Sequence, residues 1–261
     1  MPQKKQFLHF DTINSTYKTD SYNASFKLAI PLQRVSRLYL KSIELPIGFC
    51  NVRNNYSTVS YNITQNGTTF TKTFKLLEKT YNSISLFLFD LNAAFLTSIT
   101  PFLSINEGPP VFYVNPLNTN KIIMVQTLIN TVMTLNGIGF LPFYFLGYNN
   151  DIGIKVLNVT TTYFSNVYNL NFDNYLNMTF INLPLNTTTN SLIACSFKIP
   201  LNSTQNIVYF NSENSSFTQD INFNDINYIT NKLDVVICDR YGINIASNGL
   251  DYSFSLGIEF I

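Results

Sequence analysis

The dominant pattern along this chain has a period of two. Tyr22, Ala24, Phe26, Leu28 and Ile30 alternate with Ser21, Asn23, Ser25 and Lys27. Near the C-terminus Tyr252, Phe254, Leu256, Ile258 and Phe260 alternate with Asp251, Ser253, Ser255, Gly257 and Glu259. Each run reads as a half-buried strand with one apolar face, and strands at both ends of a chain suggest termini sewn into the same sheets. Between Arg34 and Leu45, Leu38 and Leu40 lie on one phase and Ile43 and Leu45 on the other. The slip at Lys41-Ser42 predicts a β-bulge. Ser57–Thr64 and Thr68–Leu76 flank Gln65-Asn66-Gly67, the signature of a tight hairpin. Val111–Val114 and Lys121–Thr127 flank a turn at Asn115-Pro116, and further strands are predicted at Ile154–Thr162, Leu176–Leu183, Ile193–Ile199, Ile207–Phe210 and Leu233–Cys238.

One segment breaks the pattern. Ile84, Phe87, Leu88, Leu91 and Phe95 recur at helical spacing, with Asn82 or Ser83 placed to cap the helix. A weaker helical pattern lies near Leu128–Leu135. The reading is an all-β chain, with no fixed-period repeat and no clear linker, hence one domain. Roughly ten strands exceed the eight of a minimal jelly roll, so a loop or hairpin insertion is expected.

Composition narrows the class. Charged residues are 12% of 261, about half the usual share, while aromatics reach 15% and asparagines number 36. Such a surface is either neutral and polar or in large part covered by other subunits. A net charge of +1 without a basic cluster advertises no nucleic-acid surface. One His and three separated cysteines, Cys50, Cys195 and Cys238, argue against a zinc site, and the thiols read as free and buried. No secretory signal is read at the N-terminus. The Asn-x-Ser/Thr triplets, among them Asn62-Ile-Thr64 and Asn202-Ser-Thr204, are as frequent as composition predicts and are not read as glycosylated. The uncharged stretch between Lys121 and Asp151 is broken by Gln126, Asn130, Thr131, Thr134, Asn136 and Pro142, so no membrane span is expected there. The chain is expected to be soluble and made inside the cell.

No catalytic constellation emerges, so catalytic, cofactor and metal residues are all expected to be absent. His9 stands eight residues from the chain start and reads as a surface or interface residue. Asp239-Arg240 reads as a salt-bridged turn. Glu44 and Glu259 interrupt apolar strands as a glycosidase pair would, but alternation puts both on the polar phase. Gly137-x-Gly139 lacks the third glycine and the capped helix of a dinucleotide loop. Aromatics supply β cores and subunit interfaces alike. A structural or binding role follows.

Several short elements, in order, resemble the penton (minor capsid) proteins of virophages, polinton-like viruses and related large DNA viruses of eukaryotes. They are Asp11-Thr-Ile-Asn-Ser15, Val35-Ser-Arg-Leu-Tyr-Leu-Lys-Ser-Ile-Glu-Leu-Pro46, Tyr61-Asn-Ile63 and the helix with Leu91-Asn92. Phe145-Leu-Gly-Tyr148, Asn169-Leu170, Leu233–Gly242 and Asn248–Leu256 complete the set. The chain departs from that family at Lys18, where an Arg is common, and at Lys79-Thr-Tyr-Asn82, which replaces a Gly-Asn-Tyr turn.

The resemblance implies a single jelly-roll β-sandwich spanning 11–261, with loop or hairpin insertions and one short helix, behind an N-terminal arm of residues 1–10 that touches neighbours through Lys4 and Lys5. It implies a non-enzymatic penton protein, a homopentamer at the fivefold vertices of an icosahedral virion, beside trimeric double-jelly-roll major capsid proteins, with a vertex spike or fibre left open. The Asn-rich segment Asn211–Asn224, with Glu213 and Asp220 and little that would form a core, is a candidate outward loop. A carbohydrate- or receptor-binding jelly roll, lectin-like or head-fibre, is the alternative.

Overall fold

The computed structural model describes residues 4–53, 57–103, 107–126, 131–136, 154–157, 161–164, 167–170, 174–183, 195–201, 206–210, 220–223, 228–240 and 242–261. The chain divides into two compact units, Met1–Phe49 with Asp173–Ile261, and Cys50–Phe172. Each has a hydrophobic core of its own.

The first unit opens with β1 (Lys4–Asp11), β2 (Tyr17–Lys18), β3 (Ala24–Gln33) and β4 (Val35–Pro46). It closes, after the second unit, with β12 (Tyr175–Phe180), β13 (Phe197–Pro200), β14 (Asn206–Phe210), β15 (Asp220–Asn222), β16 (Ile229–Cys238) and β17 (Ser253–Phe260). One sheet, sheet A, runs β1-β17-β4-β14 with β15 also on β4; the other, sheet B, runs β13-β12-β16-β3-β2. All pairs are antiparallel. β3 and β4 are consecutive yet lie in opposite sheets, and so do β16 and β17, which pair with them. A long antiparallel ribbon wound into two layers gives this order, the jelly roll.

Alternation decides what each layer buries. Phe254, Leu256 and Ile258 of β17 are buried with Leu38, Leu40, Ile43 and Leu45 of β4 and Phe26, Leu233, Val235 and Ile237 of sheet B. The phase slip in β4 is a bulge: Ser255 pairs with Ser42 but Leu256 with Leu40, which leaves Lys41 over. Residues 4–10 of the segment expected as an arm, together with Asp11, form the edge strand β1 on β17. The strand expected from Tyr22 to Ile30 departs from its pattern at the far end. Lys27 pairs with Lys232 and Leu32 with Thr230, so residues 28–31 face Asn231 alone, and Ile30 is 76% exposed. The expectation that Asn211–Asn224 lacks core residues is corrected for its described part: Asp220–Asn222 is a strand, and Ile221 and Phe223 are buried in the core. Glu213 lies outside the described residues.

The second unit comprises β5 (Thr58–Gln65), β6 (Thr68–Lys75), α1 (Ile84–Ile99), β7 (Val111–Asn115), β8 (Asn118–Val125), β9 (Thr131–Asn136), β10 (Ile154–Leu157) and β11 (Thr161–Tyr163). Its sheets run β10-β9-β5-β6 and β11-β8-β7. Asn66 (φ 51°) and Gly67 (φ 77°) turn the β5–β6 hairpin, the left-handed pair that a two-residue connection of right-twisted strands needs. α1 buries Phe87, Leu88, Leu91, Phe95 and Ile99. Ser83 stands at its N-cap position, although its side chain makes no capping bond. The helical pattern near Leu128–Leu135 is corrected: Thr131–Asn136 is β9, paired with β5. Pairing with a central strand overrides a short helical period that β-branched residues at 131, 132 and 134 already oppose.

Candidate functional site

Three places in the first unit gather polar chemistry. The first is an ion-pair row across sheet A. Strand register sets Lys5 opposite Glu259 and Glu259 opposite Arg37. Lys5 Nζ lies 3.3 Å and Arg37 Nη1 3.6 Å from Glu259 Oε1, and Arg37 Nε reaches Asp220 Oδ2 at 2.5 Å. Glu259, expected on the polar phase at a solvated or interface position, is 7% exposed. Two cations offset the cost of removing its charge from water. Sequence reading missed this row because its members come from four strands, and only the register brings them together.

The second is a cleft at one end of sheet A, about 380 Å³ in volume, lined by Asp11, Glu44 and Asp251 with Ile13, Pro46 and Val208. Asp251 accepts from Lys18 Nζ at 2.6 Å and from Thr12 Oγ1 at 2.8 Å. Those hydrogen bonds, with the lysine charge, hold its carboxyl below the usual carboxylate range. Asp11 Oδ1 accepts the Ile13 N–H at 2.9 Å. Exposed Glu44 has no cationic partner among the described residues.

The third is the outer face of sheet B. Tyr17, Ser25 and Asp234 are cross-strand neighbours, and the Ile181 N–H donates to Asp234 O, which puts the four in one row. Asp234 takes Ser25 Oγ at 2.5 Å and Lys232 Nζ at 2.8 Å. In the next row Lys27 stands directly opposite Lys232, without an acid of its own. Around them Tyr17 is 63% exposed, Ile181 65%, Ile229 62% and Ile30 76%.

The other candidates separate. His9 is exposed on edge strand β1, its Nδ1 3.0 Å from Ser255 Oγ. Glu44 pairs with Ser253, six residues along β17 from Glu259. That spacing is roughly 20 Å, against the ~5–9.5 Å of glycosidase carboxylates. Asp239 is buried and caps a turn, Oδ1 accepting the Ile243 N–H at 3.0 Å. Gly137-x-Gly139 and Phe145–Tyr148 lie outside the described residues. The cysteines are free, Cys195 and Cys238 buried and Cys50 half-buried. Burial first, then the nearby Asp239 and Cys195, pushes the Cys238 thiol up to about 11. Among the described residues no group of three or more His, Cys, Asp or Glu is placed to hold a metal ion. Among the described residues one helical stretch, Ile84–Phe102, is long and apolar enough to cross a membrane by length and composition.

No family model matches the chain, and no curated protein matches it in sequence. Among solved structures it is similar to the mavirus penton protein at 13% identity, over 99% of this chain and 100% of that one, with a TM-score of 0.49. It is also similar to a chain in a structure of the Sputnik virophage at 12% identity, over 97% of both chains, with a TM-score of 0.43.

Proposed function

We propose that this chain is a capsid protein and, more narrowly, a penton protein that closes the fivefold vertices of an icosahedral virion as a homopentamer. In this reading 11–261 is one jelly-roll capsid domain, and the second unit is an insertion between β4 and β12. One observation carries it. The described residues of four of the elements on which the family resemblance rests, 11–15, 35–46, 233–242 and 248–256, fall together in the sandwich of the first unit. There β4 pairs with β17, and the segment after β16 turns at Asp239 back towards Asn244.

The physics of a ring fits the composition. A closed ring uses a heterologous contact in which one face of a subunit meets a different face of the next. Burying unpaired charge at such a contact costs several kcal/mol, about, whereas hydrogen-bonded amides and hydroxyls cost little. A chain with 12% charged residues and 36 asparagines is suited to that burial. Its work is assembly, with trimeric double-jelly-roll major capsid proteins as neighbours, and no catalytic role is proposed.

Mass photometry of the purified chain, alone and mixed with a trimeric double-jelly-roll capsid protein from the same genome, tests the reading. A fivefold stoichiometry is expected in at least one condition. A monomer in both, or a stable trimer, overturns it.

A further inference from the structure

Two surfaces of the first unit are left incomplete in a single copy. On sheet B, Lys27 and Lys232 are cross-strand neighbours, and like charges directly opposite one another repel. Asp234 answers Lys232 at 2.8 Å, but Lys27 has no acid among the described residues. Ile30, Ile229, Ile181 and Tyr17 beside them are each more than 60% exposed. On sheet A the cleft has the opposite sign. Among the described residues Glu44 is exposed and unanswered and Asp11 accepts the Ile13 N–H alone, and Ile13, Pro46 and Val208 supply apolar walls.

The outer faces of two packed sheets point away from each other, so the lysines of one copy cannot reach the cleft of the same copy. We propose that the basic face of sheet B, with Lys27 at its centre and Ile30 and Ile229 beside it, docks into the Glu44-lined cleft of sheet A on a second copy of this chain. Charge complementarity selects that occupant. A body that carries both halves of a contact on different faces associates head to tail, and such a contact closes into a ring when its rotation permits. The inference rests on the ring assembly proposed above and names its surfaces.

The test uses full chains with Lys27→Glu, Glu44→Lys, and both together, assayed by native mass spectrometry and by thermal unfolding. Lys27→Glu removes the repulsion across β3 and β16, so its unfolding midpoint is expected to equal or exceed that of the parent chain. Its ring is nevertheless expected to dissociate at about tenfold or higher concentration, equivalent to the loss of one good charge pair. Glu44→Lys is expected to weaken the ring similarly, and the double variant to return to within about threefold of the parent. Rings unchanged in both single variants, or not restored in the double, overturn this inference and leave the ring reading intact. A parent chain that remains monomeric at every concentration overturns both.

Discussion

Gly257 of β17 lies under the ring of Tyr39 of β4, its cross-strand partner. A Cβ on Gly257 would stand 2.5 Å from Tyr39 Cε2 and 2.5 Å from its Oη, and nearer still to Cζ. Tyr39 is 4% exposed, with Arg37 Cζ 5.4 Å from the ring centre. Gly257→Ala is therefore expected to destabilise the first unit by about 1–3 kcal/mol through overpacking. Tyr39→Leu in the same chain should recover part of that loss. Urea unfolding of the single and double variants checks it, and equal midpoints for parent and Gly257→Ala would refute it.

Asn92 of α1 grips the backbone of β7 at one residue, Nδ2 donating to Phe112 O at 3.0 Å and Oδ1 accepting the Phe112 N–H at 2.8 Å. The amide thus acts as one more strand partner, satisfying both backbone groups of a buried residue. Asn92→Ala is expected to cost about 2 kcal/mol, because both are left unpaired. Asn92→Asp keeps only the acceptor and sets a carboxylate against a carbonyl, so it should cost at least as much. Hydrogen exchange at the Phe112 amide provides the site-specific readout, and unchanged protection in both variants counts against the role.

These two contacts show where sequence reading succeeds and where it stops. Alternation in 252–260 and the slip at Lys41-Ser42 were legible, because period and phase are local properties. So were the Asn66-Gly67 turn and the buried stripe of α1. The ion-pair row through Glu259, the Gly257–Tyr39 contact and the Lys27–Lys232 apposition depend on register between strands more than 200 residues apart in the chain, which no local pattern encodes. The asparagine excess was legible only as neutral polarity. The structure uses part of it as surrogate backbone: besides Asn92, Asn51 donates to Tyr81 O at 2.9 Å and accepts the Tyr81 N–H at 2.9 Å. Ile30 failed its phase because it lies in the bulge opposite Asn231, exposed between Leu28 and Leu32, which stay buried on the same phase.

Thiol reactivity follows burial. Cys195 and Cys238 are 6% and 5% exposed, and burial raises both thiols, Cys238 to about 11. The thiolate is the reacting species, so at about pH 8 these two should resist a disulfide-exchange reagent in the folded chain. Half-buried Cys50 is expected to react first. One fast equivalent under native conditions and three after denaturation is the expected count. Rapid labelling of all three in the folded chain would contradict the burial.

Acid should weaken both units through identified carboxylates. Burial pushes the Asp90 carboxyl up, but hydrogen bonds from Lys79 Nζ at 2.6 Å and Tyr81 OH at 2.9 Å, with the lysine charge, hold it below its ordinary value. For Asp234 burial is likewise outweighed, by Lys232 and Ser25. An unfolded aspartate titrates near ~3.9, above these folded groups, so as pH falls the unfolded chain takes up protons first. The stabilisation is therefore complete well above pH ~4 and is lost as pH drops through the folded values. Asp90→Asn should lower the neutral-pH stability of the second unit and flatten its decline below pH ~4, and Asp234→Asn should do the same for the first. Thermal unfolding from about pH 6 down to about pH 3 checks both. Acid slopes identical to those of the parent chain would show that these carboxylates are not what acid disrupts.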